Sequence, residues 1–238
     1  MITVNIEKGD KKMAFFEVLV QYFPSFSIAL LETIKLTGIS LICATVLGVI
    51  FGLFKVSGIG PLKIIANIYI DIIRGTPLMV QVMIIFYGLS QVLRPYGFTW
   101  GNIGGNFTAG AVTLSLNAGA YMAEIIRGGI EAVDKGQMEA ARSLGLPYGK
   151  AMSKIILPQA FRTMLPSIIN QFIISMKDTS LISVIGIREL TQNGKIIAAN
   201  SASKVMAIWL VVAAFYLVVC TVLSKVALLV ERKVSYGK

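Results

Sequence analysis

Five apolar stretches decide what this chain can fold into. Residues 36–54, 75–93, 95–123 and 205–224 carry no charged side chain and are bounded by ionisable residues. Each is close to or longer than the ~20 residues an α-helix needs to cross a bilayer. A fifth stretch, 163–187, is interrupted only by Lys177 and Asp178. The expected fold class is therefore all-α, a polytopic membrane protein with five transmembrane helices. Composition agrees: 14% of residues are charged and 55% hydrophobic, with a mean hydropathy of +0.76, whereas soluble domains carry about 25% charged residues.

An odd number of crossings puts the termini on opposite sides. With the N-terminus outside, thirteen of the 22 Lys and Arg residues fall on the inner side, eight on the outer side, and Lys177 within the membrane. That is the sense of the positive-inside rule. The net charge of +10 thus reflects topology and anionic headgroups rather than nucleic-acid binding. Residues 13–31 are apolar but interrupted by Glu17 and Pro24. They read as an amphipathic lead-in at the membrane surface, so residues 1–24 are assigned to an outer lead-in, 25–232 to the membrane domain and 233–238 to an inner tail.

Several chemistries are excluded. The chain has no histidine, so His-based triads, general bases and metal sites are absent, and Cys43 and Cys220 form no CxxC pair. No metal site is expected. No HExxH or GxSxG motif is present, and no GxxxxGK[ST] phosphate loop. The chain is read as a non-enzyme.

The connection 128–162 is too long for a tight hairpin, and long connections tend to be functional. It carries helix punctuation. Asp134 can accept from a first-turn amide, and Gly145 can take the left-handed position that stops a helix. Pro147 suits the first turn of a second helix, which would run to Leu157 and stop before Pro158. Two short helices with a sharp bend are expected. Gly48, Gly52, Gly110 and Gly119 mark places where helices can approach closely.

Within this connection the sequence reads Glu139-Ala140-Ala141-Arg142-Ser143-Leu144-Gly145, then, after nine residues, Ile155-Ile156-Leu157-Pro158. This resembles the EAA motif, EAA-x3-G-x9-I-x-L-P, of permeases in bacterial ATP-binding-cassette importers, with every fixed position present. Arg74-Gly75-Thr76-Pro77-Leu78, Ala120-Tyr121-Met122-Ala123-Glu124-Ile125 and Lys177-Asp178-Thr179-Ser180-Leu181 are similar to the polar amino acid branch, which serves glutamine, arginine, histidine and cystine. The resemblance covers roughly residues 25–232.

The resemblance implies a type I importer permease in the bacterial cytoplasmic membrane. Its partners would be a second permease copy, two cytoplasmic ATP-binding subunits, an extracytoplasmic amino-acid-binding protein and membrane lipid, and its substrate a polar amino acid. No cofactor is expected on this chain; ATP and magnesium would belong to the partner ATPase. The bend at 128–162 would be a knob gripped by that ATPase, with Ala140, Ala141, Leu144 and Leu146 as its apolar contact surface, Glu139 and Arg142 orienting it, and Gly145 and Pro147 making the turn. The plainer reading is a loop helix packed on its own membrane domain.

Ionisable groups in a membrane segment face protein or water, because facing lipid is costly. Gln171, Ser175, Asp178 and Ile182 share one helical face, as do Asn117, Tyr121 and Glu124. A zwitterion needs acceptors for its ammonium, from Asp178 or Glu124, and donors for its carboxylate, from Asn117, Tyr121, Thr179 and Ser180. Gln81 and Tyr87 are weaker candidates. The alternatives are a structural Lys177–Asp178 pair and a Glu124–Arg127 pair at i,i+3. An ion-coupled secondary transporter would use the same carboxylates, but the inverted repeats expected of one are not visible.

Overall fold

The computed structural model describes the backbone of residues 2–235 and the side chains of residues 13–229. Met1 of the lead-in and residues 236–238 of the tail lie outside the described residues. Helix α1 runs unbroken from Ile2 to Val56, through Pro24. It is followed by α2 (Gly60–Arg74), a turn at Gly75–Pro77, and α3 (Leu78–Met83). A π-helical turn joins α3 to α4 (Leu89–Leu93). Tight turns over 94–104 lead into α5 (Gly105–Glu131). Then come α6 (Lys135–Ser143), α7 (Tyr148–Ala151), α8 (Leu157–Ile182), α9 (Leu190–Ala199) and α10 (Val205–Ser235). The described residues are all helix and turn.

Among the described residues, four helical stretches are long and apolar enough to cross a membrane: Met13–Val56, Leu78–Tyr96, Tyr148–Ile185 and Ala202–Leu229. The remaining expected crossing, 95–123, falls mostly on α5. That helix has 27 residues, but its length is rich in glycine, alanine, serine and asparagine, and more than half of it is buried by its neighbours. A helix surrounded by protein needs small residues for close packing more than it needs lipophilic ones.

α1 and α5 lie side by side in the same direction and make the largest helix–helix interface. Their approach is set by glycines. A Cβ on Gly48 would sit 2.5 Å from the Met122 side chain, and one on Gly52 2.9 Å from Ile126. Overfilling a packed contact costs about 1–3 kcal/mol. Gly48→Leu is therefore expected to lower the melting midpoint of the purified protein, and an unchanged midpoint would refute the close contact.

Two expectations about helix boundaries are corrected. Residues 13–31 do not form a separate surface helix. They continue into the first crossing and bury Val18 and Phe26 against α9 and α10 in a core with Leu190, Ile208 and Val211. The second short helix of the 128–162 connection does not stop before Pro158. A π-helical turn over Met152–Ile156, with Leu157 N donating to Met152 O, carries it into α8, and Pro158 follows directly on that irregular turn.

Candidate functional site

Two features stand out, an elbow at one end of the helices and a cleft between them. The elbow is α6, the bend and α7. Asp134 caps α6, its Oδ1 accepting from Gly136 N at 2.7 Å. At the other end Leu146 N donates to Ala141 O at 3.1 Å and Gly145 N to Arg142 O at 3.0 Å. Gly145 has φ +81°. This paired termination with a left-handed residue is a Schellman motif. The Arg142 guanidinium adds a bond from Nη1 to Leu146 O, 3.0 Å.

The bend leaves Leu144 83% exposed, with Glu139, Ala140, Arg142 and Pro147 also at the surface and Leu146 half-buried. Ala141 is corrected: it is buried, because it lies on the face of α6 turned toward the rest of the chain. The free apolar surface is thus Ala140 and Leu144, joined by the exposed Tyr148 of α7, which the motif did not point to.

The cleft, about 560 Å³, opens between the Gly75–Pro77 turn, α5 and α8; its polar lining is Arg74, Thr76, Asn117, Tyr121, Gln171 and Asp178. The turn is held by Gln81, which is buried. Its Nε2 lies 2.7 Å from Ile73 O, 3.0 Å from Thr76 O and 2.9 Å from Thr76 Oγ1. Its Oε1 accepts from Asn117 Nδ2 at 3.0 Å. One amide therefore ties the turn to α5 and orients Asn117. The Arg74 guanidinium stands 5.4 Å from the Tyr121 ring centroid, within cation–π range.

The structure brings together Asn117, Tyr121, Gln171 and Asp178 and leaves out the other four candidates. Glu124 does not line the cleft. It accepts from Arg127 Nε at 3.1 Å and Nη2 at 2.9 Å, bonds Lys55, and lies 3.6 Å from Arg74 Nη1. With three cations around it, Glu124 is a structural hub joining α1, α2 and α5. Ser175 is buried 3.4 Å from Gln171 Nε2, and Thr179 is buried, donating to Met176 O at 2.7 Å. Ser180 is half-buried outside the cleft. On α8 the lining is Gln171, Ile174 and Asp178, a face rotated slightly from the expected one. Tyr87 lies elsewhere, in a cleft with Trp100. Arg74 and Thr76 were expected only as family signature; the helix-breaking Gly-Thr-Pro after an arginine was the available signal.

Gln81→Leu would leave two backbone carbonyls and the Asn117 amide without partners, at about 1–3 kcal/mol for each buried group. The expected result is a lowered melting midpoint of the purified protein. Gln81→Glu, which turns a donor toward those carbonyls into an acceptor, should be as damaging. A wild-type midpoint in both variants would remove Gln81 from the positioning role. Among the described residues no cluster of side chains could hold a metal ion.

A family model described as "Binding-protein-dependent transport system inner membrane component" matches residues 44–236. The arginine transport system permease protein ArtQ of Bacillus subtilis (strain 168) is 37% identical over 92% of this chain and 97% of its own. The glutamine transport system permease protein GlnP of Escherichia coli (strain K12) is 41% identical over 85% and 90%. A crystal structure of an amino acid ABC transporter with histidines superposes with a TM-score of 0.82 at 40% identity, covering 92% of this chain and 98% of that one. The chain belongs to the family of binding-protein-dependent transport system inner membrane components, among relatives that are permease subunits of amino-acid transport systems.

Proposed function

We propose that this chain carries a polar amino acid across the bacterial cytoplasmic membrane as the permease of an ATP-driven importer. The observation that supports the reading best is the cleft. Arg74 and Asp178, of opposite charge, line it together with Asn117, Tyr121 and Gln171, a set suited to the carboxylate and ammonium of a zwitterion. Its volume of about 560 Å³ is in the range of small-molecule sites. The ion-coupled alternative receives no support from the relatives.

On this reading α5 is the fifth crossing, the N-terminus lies outside and the elbow faces the cytoplasm. A single chain leaves the cleft open at one side, so a second copy related by a two-fold axis completes the path. Two ATPase subunits grip the elbows and hold the ATP and magnesium, and an extracytoplasmic protein delivers the amino acid. Surrounding lipid meets the exposed apolar faces of α1 and α10.

The test is co-purification with the ATPase, then ATP hydrolysis measured across a panel of amino acids with the delivery protein supplied. A subset of polar amino acids is expected to stimulate hydrolysis. No stimulation by any of them would overturn the proposal.

A further inference from the structure

Far from the elbow a second cleft, about 310 Å³, lies between α1 and the start of α9, lined by Ser25, Ile28, Ala29, Arg188 and Asn193. Ser25 lies 30 residues from Lys55, which borders the elbow cavity with Tyr148. At 1.5 Å per residue that is about 45 Å along α1, a full bilayer with its headgroups. Leu47, packed on Gly119 beside the central cleft, is about 33 Å from Ser25 on the same scale.

The second cleft is built around one guanidinium. Arg188 Nε donates to Asn193 Oδ1 at 3.1 Å, and Ser25 Oγ donates to the same oxygen at 3.1 Å. Asn193 is 1% exposed, and its backbone N donates to Glu189 O at 2.9 Å, so the support is rigid. The neighbouring Glu189 carboxylate is taken by Thr191 N at 2.8 Å, Gln192 N at 2.6 Å and Tyr216 Oη at 2.8 Å. Arg188 is exposed and has no carboxylate partner among the described residues. Its Nη fork is therefore oriented and unspent. Asn193 Nδ2 is buried with no hydrogen-bond partner among the described residues, which native interiors seldom tolerate without a reason.

An oriented, unpaired guanidinium fork matches a carboxylate. A phosphate dianion would call for a second cation, and the nearby Lys195 is engaged with Ser183 Oγ at 2.8 Å. We propose that this cleft binds a carboxylate, and that its occupant is the amino acid solute held at the end of the path opposite the elbow. The identity of the solute rests on the permease reading above; the carboxylate site does not.

Acetate, which has no ammonium group, is the probe. It is titrated by saturation-transfer NMR onto the permease–ATPase complex in lipid nanodiscs. Saturable binding is expected, with an Arg188-dependent component weakened at least tenfold in Arg188→Gln and at least several-fold in Arg188→Lys, which keeps the charge but loses the fork. Arg74→Lys, which keeps a cation beside Glu124 but loses the fork, lowers any component owed to the central cleft and should leave the Arg188 component in place. Lys195→Gln should also leave it. If Arg188→Gln fails to assemble, Arg188→Lys gives the reading.

Superposable titrations of wild type and both Arg188 variants would overturn the site, as would an equal loss in Lys195→Gln. Loss of delivery-protein stimulation in Arg188→Gln without any acetate effect would assign the cleft to an acidic side chain of that protein, again overturning the proposal. Failure of every amino acid to stimulate hydrolysis in the wild type would overturn the solute's identity alone.

Discussion

Asp178→Asn is expected to raise the amino-acid concentration for half-maximal stimulation of ATP hydrolysis on the order of 10- to 100-fold, with basal hydrolysis unchanged. The carboxylate lines the central cleft with Arg74. Lys177 beside it on α8 is exposed, and no salt bridge joins the two among the described residues, so Asp178 is not spent on its neighbour. A hydrogen bond to a charged group contributes about 1.5–3 kcal/mol, and about 1.4 kcal/mol is tenfold in affinity. The amide keeps the shape and an acceptor oxygen but loses the charge that an ammonium group seeks. Equal half-saturation in wild type and variant would remove Asp178 as the ammonium acceptor. Arg74→Met is a less clean test of the carboxylate end, because Arg74 also sits 3.6 Å from Glu124, and its loss would disturb the hub that joins three helices.

Uncharged runs pointed to stretches long and apolar enough to cross a membrane, because a lipid-facing helix excludes charge along its length, a local property. The stretch that became α5 was readable as a helix, but it is not among the four stretches found long and apolar enough to cross. The junction of lead-in and first crossing was not readable. Lys35 bounded the first uncharged run, but in the structure it pairs with Glu32 at 2.7 Å, three residues away on one continuous helix. Within the cleft, Asn117 with Tyr121 and Gln171 with Asp178 were found by helical spacing, since each pair lies on one element. Arg74 and Thr76 were missed because they join the site from a turn remote in sequence. Glu124 was misplaced for the same reason: two of its cations, Lys55 and Arg74, belong to other helices, and only Arg127 was visible by spacing. Helical periodicity reports neighbours on one helix, and a site assembled from three elements needs the packing itself.

The largest effect expected at the elbow comes from Gly145→Val, which should let ATP hydrolysis continue while uptake falls at least tenfold. No atom lies within 4 Å of a Cβ placed on Gly145, so the side chain itself meets no obstacle. The penalty is conformational: φ is +81°, and left-handed backbone costs an ordinary L-residue about 1–2 kcal/mol, more for a β-branched one. The chain can relieve it by opening the bend, which breaks the Leu146–Ala141 and Gly145–Arg142 bonds and releases Leu144 from its projecting position. The membrane helices do not depend on that bend. The elbow is anchored through buried Ala141 and through Met138, which packs on the Met122–Ile156 core, so the variant should purify with an unchanged melting midpoint. Gly145→Asn separates conformation from bulk, because asparagine tolerates left-handed backbone best after glycine, and it should retain most uptake. If valine and asparagine uncouple equally, added side-chain volume at the ATPase contact is what matters. If neither uncouples, the ATPase does not turn this elbow, and force must enter the helices somewhere else.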